Sequence, residues 1–363
     1  MNPTTELNTK EWNKLNILLT STARRIDFVK FFQFALKNAS IDGKVITADP
    51  EYNAPSLQAG DENYEIPQQI DTNYMEAIIE ICKKQHVNCL VPLNDWEVPA
   101  ISAHKKELDK LGVSVFAPDS NIVEKVRDKG KYRELLDLLD VKTPLSYFNV
   151  ESAKKALERR EVSFPLIVKP RNGSASIGIE IIDNVEDMEF AYQHAVRQIK
   201  ESPLDGATSK APEDNIIIQE VIEGEKFSVD MFNDLNGRFL TSFARKQLDM
   251  RGGDIDRCIT VNVPELTDIA KQLGKSFGHA GYMNTDIYFN GTDYYVIDIN
   301  PRFGGGYAFT HLAGADIPAA IIALTAGKEV QEDWLCQKPD IELARHDTVV
   351  SINKQKVMQA LDA

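Results

Sequence analysis

Between residues 15 and 119, short apolar runs alternate with amphipathic segments, and this alternation narrows the choice of fold more than any other feature of the chain. The runs 15-LNILLTS-21, 44-KVITADP-50, 87-VNCLVPLND-95 and 113-VSVFAPD-119 read as strands, each stopping at small or polar residues. The segments 26-IDFVKFFQFALK-37, 74-YMEAIIEICKKQ-85 and about 97–111 carry apolar residues at helical spacing. A strand that is apolar on both faces must be covered on both faces. The pattern therefore predicts a doubly wound parallel sheet. Ligands of such sheets sit beyond the carboxyl ends of the strands, where Thr20, Ser21, Thr22, Arg24, Asp49, Asn94 and Asp95 fall. No GxGxxG follows the first strand, so the dinucleotide fingerprint is absent. A scaffold with polar loops and a substrate-binding domain remain equal readings of this region.

The character changes near residue 120. A charged helix over 121–139 precedes Thr143-Pro144, and 166-LIVKPRNGSASIGIEII-182 reads as strand, glycine-rich loop, strand. A helix is expected over about 186–200 and an exposed loop over 202–215. Then 216–224, 226–234 and 238–246 look like successive antiparallel strands. A helix near 264–279 leads to a hairpin, 282–291 and 293–300, turning at Asn290-Gly291. A further helix covers 308–327, and a short mixed tail follows from 331. These readings divide the chain into a flexible leader (1–14), an α/β domain (15–119), two α+β units (120–200 and 201–330) and a C-terminal extension (331–363).

With 363 residues, the chain is long enough for two or three domains. Its net charge of −14 argues against general binding to nucleic acid or to anionic membranes. No apolar run approaches the roughly 20 residues of a membrane helix, and the polar start MNPTTELNTKEWNK has no signal-peptide core. Cys82, Cys89, Cys258 and Cys336 fit neither a zinc motif nor a disulfide framework, which suits reduced thiols in a cytoplasmic protein.

Four stretches could carry chemistry. In 169-KPRNGSASIG-178, a lysine ends a buried strand and small residues follow, so backbone N–H groups could cradle phosphate oxygens; an ordinary hairpin reads the same. In 219-QEVIEGEKFSVD-230, the backbone at Glu220 and Ile222 could meet a heterocycle edge, with Glu223 or Glu225 near a ribose. In 295-YVIDINPRFGGGY-307, strand alternation puts Asp298 and Asn300 on one face, and Asp286 on the partner strand could join them. Two carboxylates and an amide oxygen are hard ligands suited to Mg²⁺, and Arg302 could clamp an anion in a planar fork. In 244-ARKQLDMRGGD-254, Arg245, Lys246 and Arg251 form a basic cluster that reads equally as a solvated loop or a phosphate clamp. His279 and His311 read as packing histidines on helices, with His311 a weaker candidate on the substrate side.

The ordered set 128-DK-129, 168-VKP-170, the Gly/Ser loop, 220-EVIEG-224, 284-NTD-286 and 298-DINPRFGGGY-307 resembles the ATP-grasp superfamily over Leu15 to about Lys328. It looks most like the carbamoyl-phosphate synthetase large subunit and PylC-type amino-acid ligases. The resemblance implies an N-terminal pre-ATP-grasp domain followed by the two-subdomain ATP-grasp fold. It implies ATP-dependent ligation of a small-molecule carboxylate to an amine or thiol through an acylphosphate. Its implied cofactors are ATP and Mg²⁺, with Mn²⁺ as an alternative ion, and similar proteins lead to the expectation of a homodimer. Carried over by position, Lys129, Lys169, Gly173, Ser174, Ser176, Gly178, Glu220, Val221, Ile222 and Glu225 would hold ATP. Asp286, Asp298 and Asn300 would hold metal. Arg302, Arg251 and Lys246 would act on the transferred phosphoryl group, and Arg24, Gly305 and Tyr307 would meet the second substrate. Two positions depart from the family pattern. Lys226 stands where a ribose-binding glutamate is usual, and Asp298 stands where a bridging glutamate is usual. A carbamoyl-phosphate-synthetase-like enzyme acting on a small acid, and an ATP-binding regulatory protein without turnover, are the alternative readings.

Overall fold

The computed structural model describes residues 14–173, 178–202, 204–205 and 211–361. The leader 1–13 and the loop residues Ser174 and Ser176 lie outside the described residues.

The N-terminal elements are β1 (Asn16–Thr20), α1 (Ile26–Asn38), β2 (Val45–Asp49), β3 (Glu62–Glu65), α2 (Tyr74–Lys84), β4 (Val87–Pro92), α3 (Val98–Ala103), α4 (Lys105–Lys110) and β5 (Ser114–Val115). The expected helix over 97–111 is thus two helices meeting at His104. β1, β2 and β4 are fully or almost fully buried, as their continuous apolar runs require. β3 carries the sequence ENYE and has no apolar run to announce it.

Next come α5 (Ser120–Val126), α6 (Tyr132–Asp137), β6 (Ser146–Tyr147), α7 (Val150–Glu158), β7 (Leu166–Pro170), β8 (Glu180–Ile182) and α8 (Met188–Lys200). The helix expected over 121–139 is interrupted by a 3-10 turn at Lys129–Lys131, which Asp128 caps by accepting the Gly130 N–H at 3.0 Å. β9 (Ile216–Glu220), β10 (Glu225–Asn233), β11 (Phe239–Arg251) and β12 (Asp254–Val261) follow. α9 (Pro264–Phe277), β13 (Gly281–Phe289) and β14 (Tyr294–Asn300) come after them. β11 runs further than the sequence suggested and turns at Gly252-Gly253 into β12, across the stretch that read equally as a solvated loop or a phosphate clamp. The helix expected over 308–327 is α10 (Tyr307–Leu312) and α11 (Ile317–Thr325), parted at Gly314 with its φ of +117°. The tail adds β15 (Glu342–Ala344) and β16 (Met358–Gln359).

Among the described residues, these strands form three sheets. The first has the order β16-β3-β2-β1-β4-β5, and every pairing in it is parallel. The fold class is therefore α/β joined to α+β, with the doubly wound sheet first. The second has the order β14-β13-β10-β11-β12-β15 and the third β6-β9-β7-β8, both antiparallel. The tail is a strap, since β15 extends the second sheet and β16 returns to the first.

One face of the second sheet packs Phe227, Val229, Met283, Ile287, Val296 and Ile299 into a core with α9. Strand alternation then turns Lys226, Ser228, Asn284, Asp286, Asp298 and Asn300 to the opposite face, which is the floor of a cleft. Val296 and Asp298 would share a face in a regular strand. A bulge between β13 and β14 pairs Asp286 with Asp298 but Ile287 with Val296, so Ile297 is the extra residue. That bulge sends Val296 to the core and Asp298 to the cleft.

Candidate functional site

The cleft encloses about 800 Å³ and draws on all three parts of the fold. The second sheet supplies the floor. From the third sheet, β7 alternates so that Leu166 and Val168 enter the core while Ile167 and Lys169 face the cleft. The 3-10 turn brings in Lys129, and the loops after β1 and β4 bring in Arg25 and Asp95.

Most of the charged groups are fixed by identifiable contacts. Lys129 is buried and its Nζ lies 2.8 Å from Asp298 Oδ1. Its turn is pinned because Arg171 donates to both Asp128 oxygens, at 3.0 and 2.9 Å, while the Lys129 N–H bonds the Arg171 carbonyl at 3.1 Å. Lys169 is also buried, and no hydrogen bond or ion pair ties its ammonium among the described residues. Burial first, and then the neighbouring Lys129, push its pKa down to about 8. Burial works against the Asp298 carboxylate, but Lys129, Lys169 and Arg302 outweigh it and hold its pKa below the usual carboxylate range. Tyr132 adds its hydroxyl 3.4 Å from Asp298 Oδ1, and that hydroxyl accepts the Ile299 N–H at 2.8 Å.

Lys226 Nζ lies 3.0 Å from Asp286 Oδ2. Burial opposes its charge, yet Asp286 more than compensates and raises its pKa. Arg302 reaches Asp95 at 2.5 Å and Asn300 Oδ1 at 3.1 Å. Arg25 extends over the Phe28 ring at 5.4 Å and forms no ion pair among the described residues. Burial and the nearby Arg302 lower its pKa to about 10. The two N-terminal loops are anchored by Glu97, which is wholly buried. It accepts from Ser21 Oγ at 2.7 Å, Tyr74 OH at 2.6 Å and the N–H groups of Leu93 and Asn94 at 2.8 and 3.0 Å.

Further along the same face of the second sheet lies a buried polar cluster. Arg245 and Asp230 are both fully buried and 2.5 Å apart. Asp230 also accepts from Tyr282 OH at 2.5 Å and from Asn284 Nδ2 at 2.7 Å. This packing explains two of the three glycines after β14. A Cβ at Gly304 would lie 2.8 Å from Asn284 Cγ, and one at Gly306 would lie 3.0 Å from Arg245 Nε.

The candidates from sequence divide into two groups. Lys129, Lys169, Gly173, Asp286, Asp298, Asn300, Arg302 and Gly305 line the cleft together. Others do not reach its wall. Lys246 pairs with Glu225 on the outer side of β11. Arg251 pairs with Asp256 at 2.9 Å and Asp347 at 2.6 Å, half exposed. Arg24 is exposed, 3.5 Å from Asp254. Tyr307 is buried against Phe28 and Phe303, with its hydroxyl accepting the Ile317 N–H at 2.9 Å. Glu220 receives the Leu145 N–H on Oε2 at 3.2 Å and borders a separate cavity of about 560 Å³, while Val221, Ile222 and Gly178 are not on the main cleft. His279 is buried, and burial drives its pKa down to about 3; His311 stacks on Phe31. Asp95 was named from sequence only among the strand-end residues, whereas Arg25, Tyr132 and Asp254 were not singled out; Arg25 follows the first strand and Asp254 stands beside Gly-Gly, but nothing in the sequence marks Tyr132.

The donors fit a hard divalent ion. Asp286 and Asp298 are paired across β13 and β14, and Asn284 and Asn300 are paired beside them. The second oxygen of Asp298, Oδ2, receives no protein hydrogen bond among the described residues. An oxygen-rich corner flanked by Lys129, Lys169 and Arg302 suits a metal-bound polyphosphate.

Two family models match this chain. Residues 17–116 match the PylC-like N-terminal domain model, and residues 126–306 match the ATP-grasp domain model. The carbamoyl phosphate synthase large chain of Myxococcus xanthus is 22% identical over 321 residues, covering 85% of this chain and 28% of that protein. The corresponding large chain of Haemophilus ducreyi is 24% identical over 316 residues, covering 82% and 27%. The chain thus spans less than a third of these relatives' length. Biotin carboxylase from Campylobacter jejuni superposes with a TM-score of 0.70 at 17% identity, covering 88% of this chain and 73% of that one. The biotin carboxylase domain dimer of Hydrogenobacter thermophilus 2-oxoglutarate carboxylase, solved with MgADP, ADP and bicarbonate, gives 0.69 at 18% identity, covering 90% and 73%.

Proposed function

We propose that this chain, an ATP-grasp protein with a PylC-like N-terminal domain, is a ligase that uses ATP to join a small carboxylate to an amine or thiol. The observation that carries the reading is the convergence of Lys129, Lys169 and Arg302 on the Asp298–Asn300 corner of one cleft. A nucleotide enters with its phosphates along the lysines and with Gly173 at the edge. The substrate carboxylate attacks the γ-phosphorus, the bond to ADP breaks, and an acylphosphate forms. The amine then attacks the acyl carbon and phosphate leaves.

The protein supplies position and charge for these steps and needs no nucleophilic side chain. Lys129 and Lys169 place positive charge where the phosphoryl group moves. Arg302, held by Asp95, meets the transferred group or the acylphosphate. Asp298 and Asn300 would hold Mg²⁺, which supplies further neutralisation of phosphate charge when bound. Arg25, without an ion pair among the described residues, faces the same cleft from the N-terminal side and suits the carboxylate of a substrate. The dimeric Hydrogenobacter domain supports a homodimer for this chain as well, which sedimentation would test.

The experiment is release of ADP and phosphate from ATP and Mg²⁺ with a pool of amino acids and small acids. Release that depends on the pool and is lost in Lys169→Met and Asp298→Ala supports the ligase. Release that survives both substitutions, or nucleotide binding without any release, contradicts it.

A further inference from the structure

We propose that Lys226 takes the place of a second cation at this corner, so that the protein binds one divalent ion with its nucleotide. The inference rests on the nucleotide-binding reading above and deepens it.

It comes from an asymmetry between the two carboxylates. Both oxygens of Asp286 are covered by protein donors: Oδ2 by Lys226 at 3.0 Å and Oδ1 by Gln247 Nε2 at the longer distance of 3.5 Å. Asp298 has one covered oxygen, Oδ1, shared by Lys129 at 2.8 Å and Tyr132 at 3.4 Å. Its Oδ2 receives no protein donor among the described residues. An ion seated against Asp298 Oδ2 displaces no protein donor among the described residues, and at Asn300 Oδ1 it would share an oxygen that accepts from Arg302 at 3.1 Å. An ion seated against Asp286 has to evict an ammonium.

The register explains why a lysine does this. Lys226 lies opposite Tyr288, and Ser228 lies opposite Asp286, so Lys226 and Asp286 are diagonal neighbours on the cleft face. Diagonal neighbours stand roughly 7–8 Å apart at the backbone, within reach of a long side chain. The ammonium is held from a second side by the Tyr288 ring, 5.9 Å to its centroid. An evicted Lys226 would be left in a cleft that already holds Lys129 and Lys169, with only 24% of its side chain exposed. Like charges gathered at low exposure repel, and the cost opposes a second metal. A glutamate at 226 would do the reverse, setting a carboxylate beside Asp286 and drawing a cation in.

The test is metal stoichiometry, read without turnover. The wild-type protein is dialysed to equilibrium against Mn²⁺ and the non-hydrolysable analogue AMP-PNP, and bound Mn²⁺ is counted per bound nucleotide by electron paramagnetic resonance. The expected ratio is one for wild type and two for Lys226→Met and Lys226→Gln, each checked for native circular dichroism. A wild-type ratio of two overturns the proposal and needs no variant. A ratio that stays at one in a folded variant that binds AMP-PNP also overturns it. Failure of wild type to bind AMP-PNP removes the nucleotide reading itself, and the proposal with it. Normal nucleotide binding with a wild-type ratio of two leaves that reading standing alone.

Discussion

Replacing Asp230 with alanine should destabilise the protein by about 3–5 kcal/mol, the range for removing one member of a buried ion pair. The magnitude follows from the surroundings. Arg245 and Asp230 have no solvent exposure, so water cannot take over the lost interaction. The guanidinium would keep Thr310 and Ser228 as partners but no counter-charge. Two further donors, Tyr282 OH and Asn284 Nδ2, would lose their shared acceptor; Asn284 retains Ser228 at 2.9 Å. Urea unfolding followed by far-ultraviolet circular dichroism measures the loss. Two controls make the reasoning testable. Lys83→Ala breaks an exposed pair with Glu80, each side chain about half exposed, and should leave the urea midpoint essentially unchanged. The double variant Asp230→Ala/Arg245→Met leaves no buried charge and should be more stable than Asp230→Ala alone. A loss below about 1 kcal/mol for Asp230→Ala, or a double variant less stable than the single one, would refute the argument.

Lys169→Met should weaken AMP-PNP binding by roughly 10–150-fold, the equivalent of losing one charge-assisted hydrogen bond of about 1.5–3 kcal/mol, measured by calorimetry. Lys169 titrates near 8 in the free protein, so it is charged below that pH and neutral above it. Wild-type affinity should therefore fall as pH rises from 7 to 9, and the methionine variant should lose that share of the dependence. Gly304→Ala forces a Cβ to within 2.8 Å of Asn284 Cγ; overpacking of this kind costs about 1–3 kcal/mol, visible as a lower melting temperature together with slower phosphate release. Arg25→Met should raise KM for the carboxylate substrate at least 10-fold and leave the Kd of AMP-PNP within about twofold, because Arg25 enters the cleft from the loop after β1 and not from β7 or the 3-10 turn that carry the lysines.

The N-terminal sheet was legible because β1, β2 and β4 are continuous apolar runs, a pattern that only a sheet covered on both faces explains. β3 and β16 were not legible: one is four largely polar residues, and the other is a two-residue strand held by a partner almost three hundred positions away. β12 alternates clearly, but the Gly-Gly and the basic residues before it read as a loop. At the site, residue types that are poor in strands, Asp298 and Asn300, announced themselves. Their shared face could be read from alternation, whereas the bulge at Ile297 that lets Val296 stay in the core could not. The same limit hid Arg25 behind Arg24. Neighbouring arginines at the end of β1 look alike in sequence, and only the backbone path after Ser21 decides which one enters the cleft. It also hid the Lys226–Asp286 contact, which depends on the diagonal register of β10 and β13.

The central claim is that a substrate carboxylate takes the γ-phosphoryl group of ATP in this cleft. It is tested most directly by following carboxylate oxygen. A pool of amino acids and small acids whose carboxylates carry heavy oxygen is incubated with the protein, ATP and Mg²⁺ in ordinary water, and the released phosphate is analysed by mass spectrometry. The account predicts phosphate carrying one heavy oxygen from the acid. Phosphate released at the same rate without that label would contradict it.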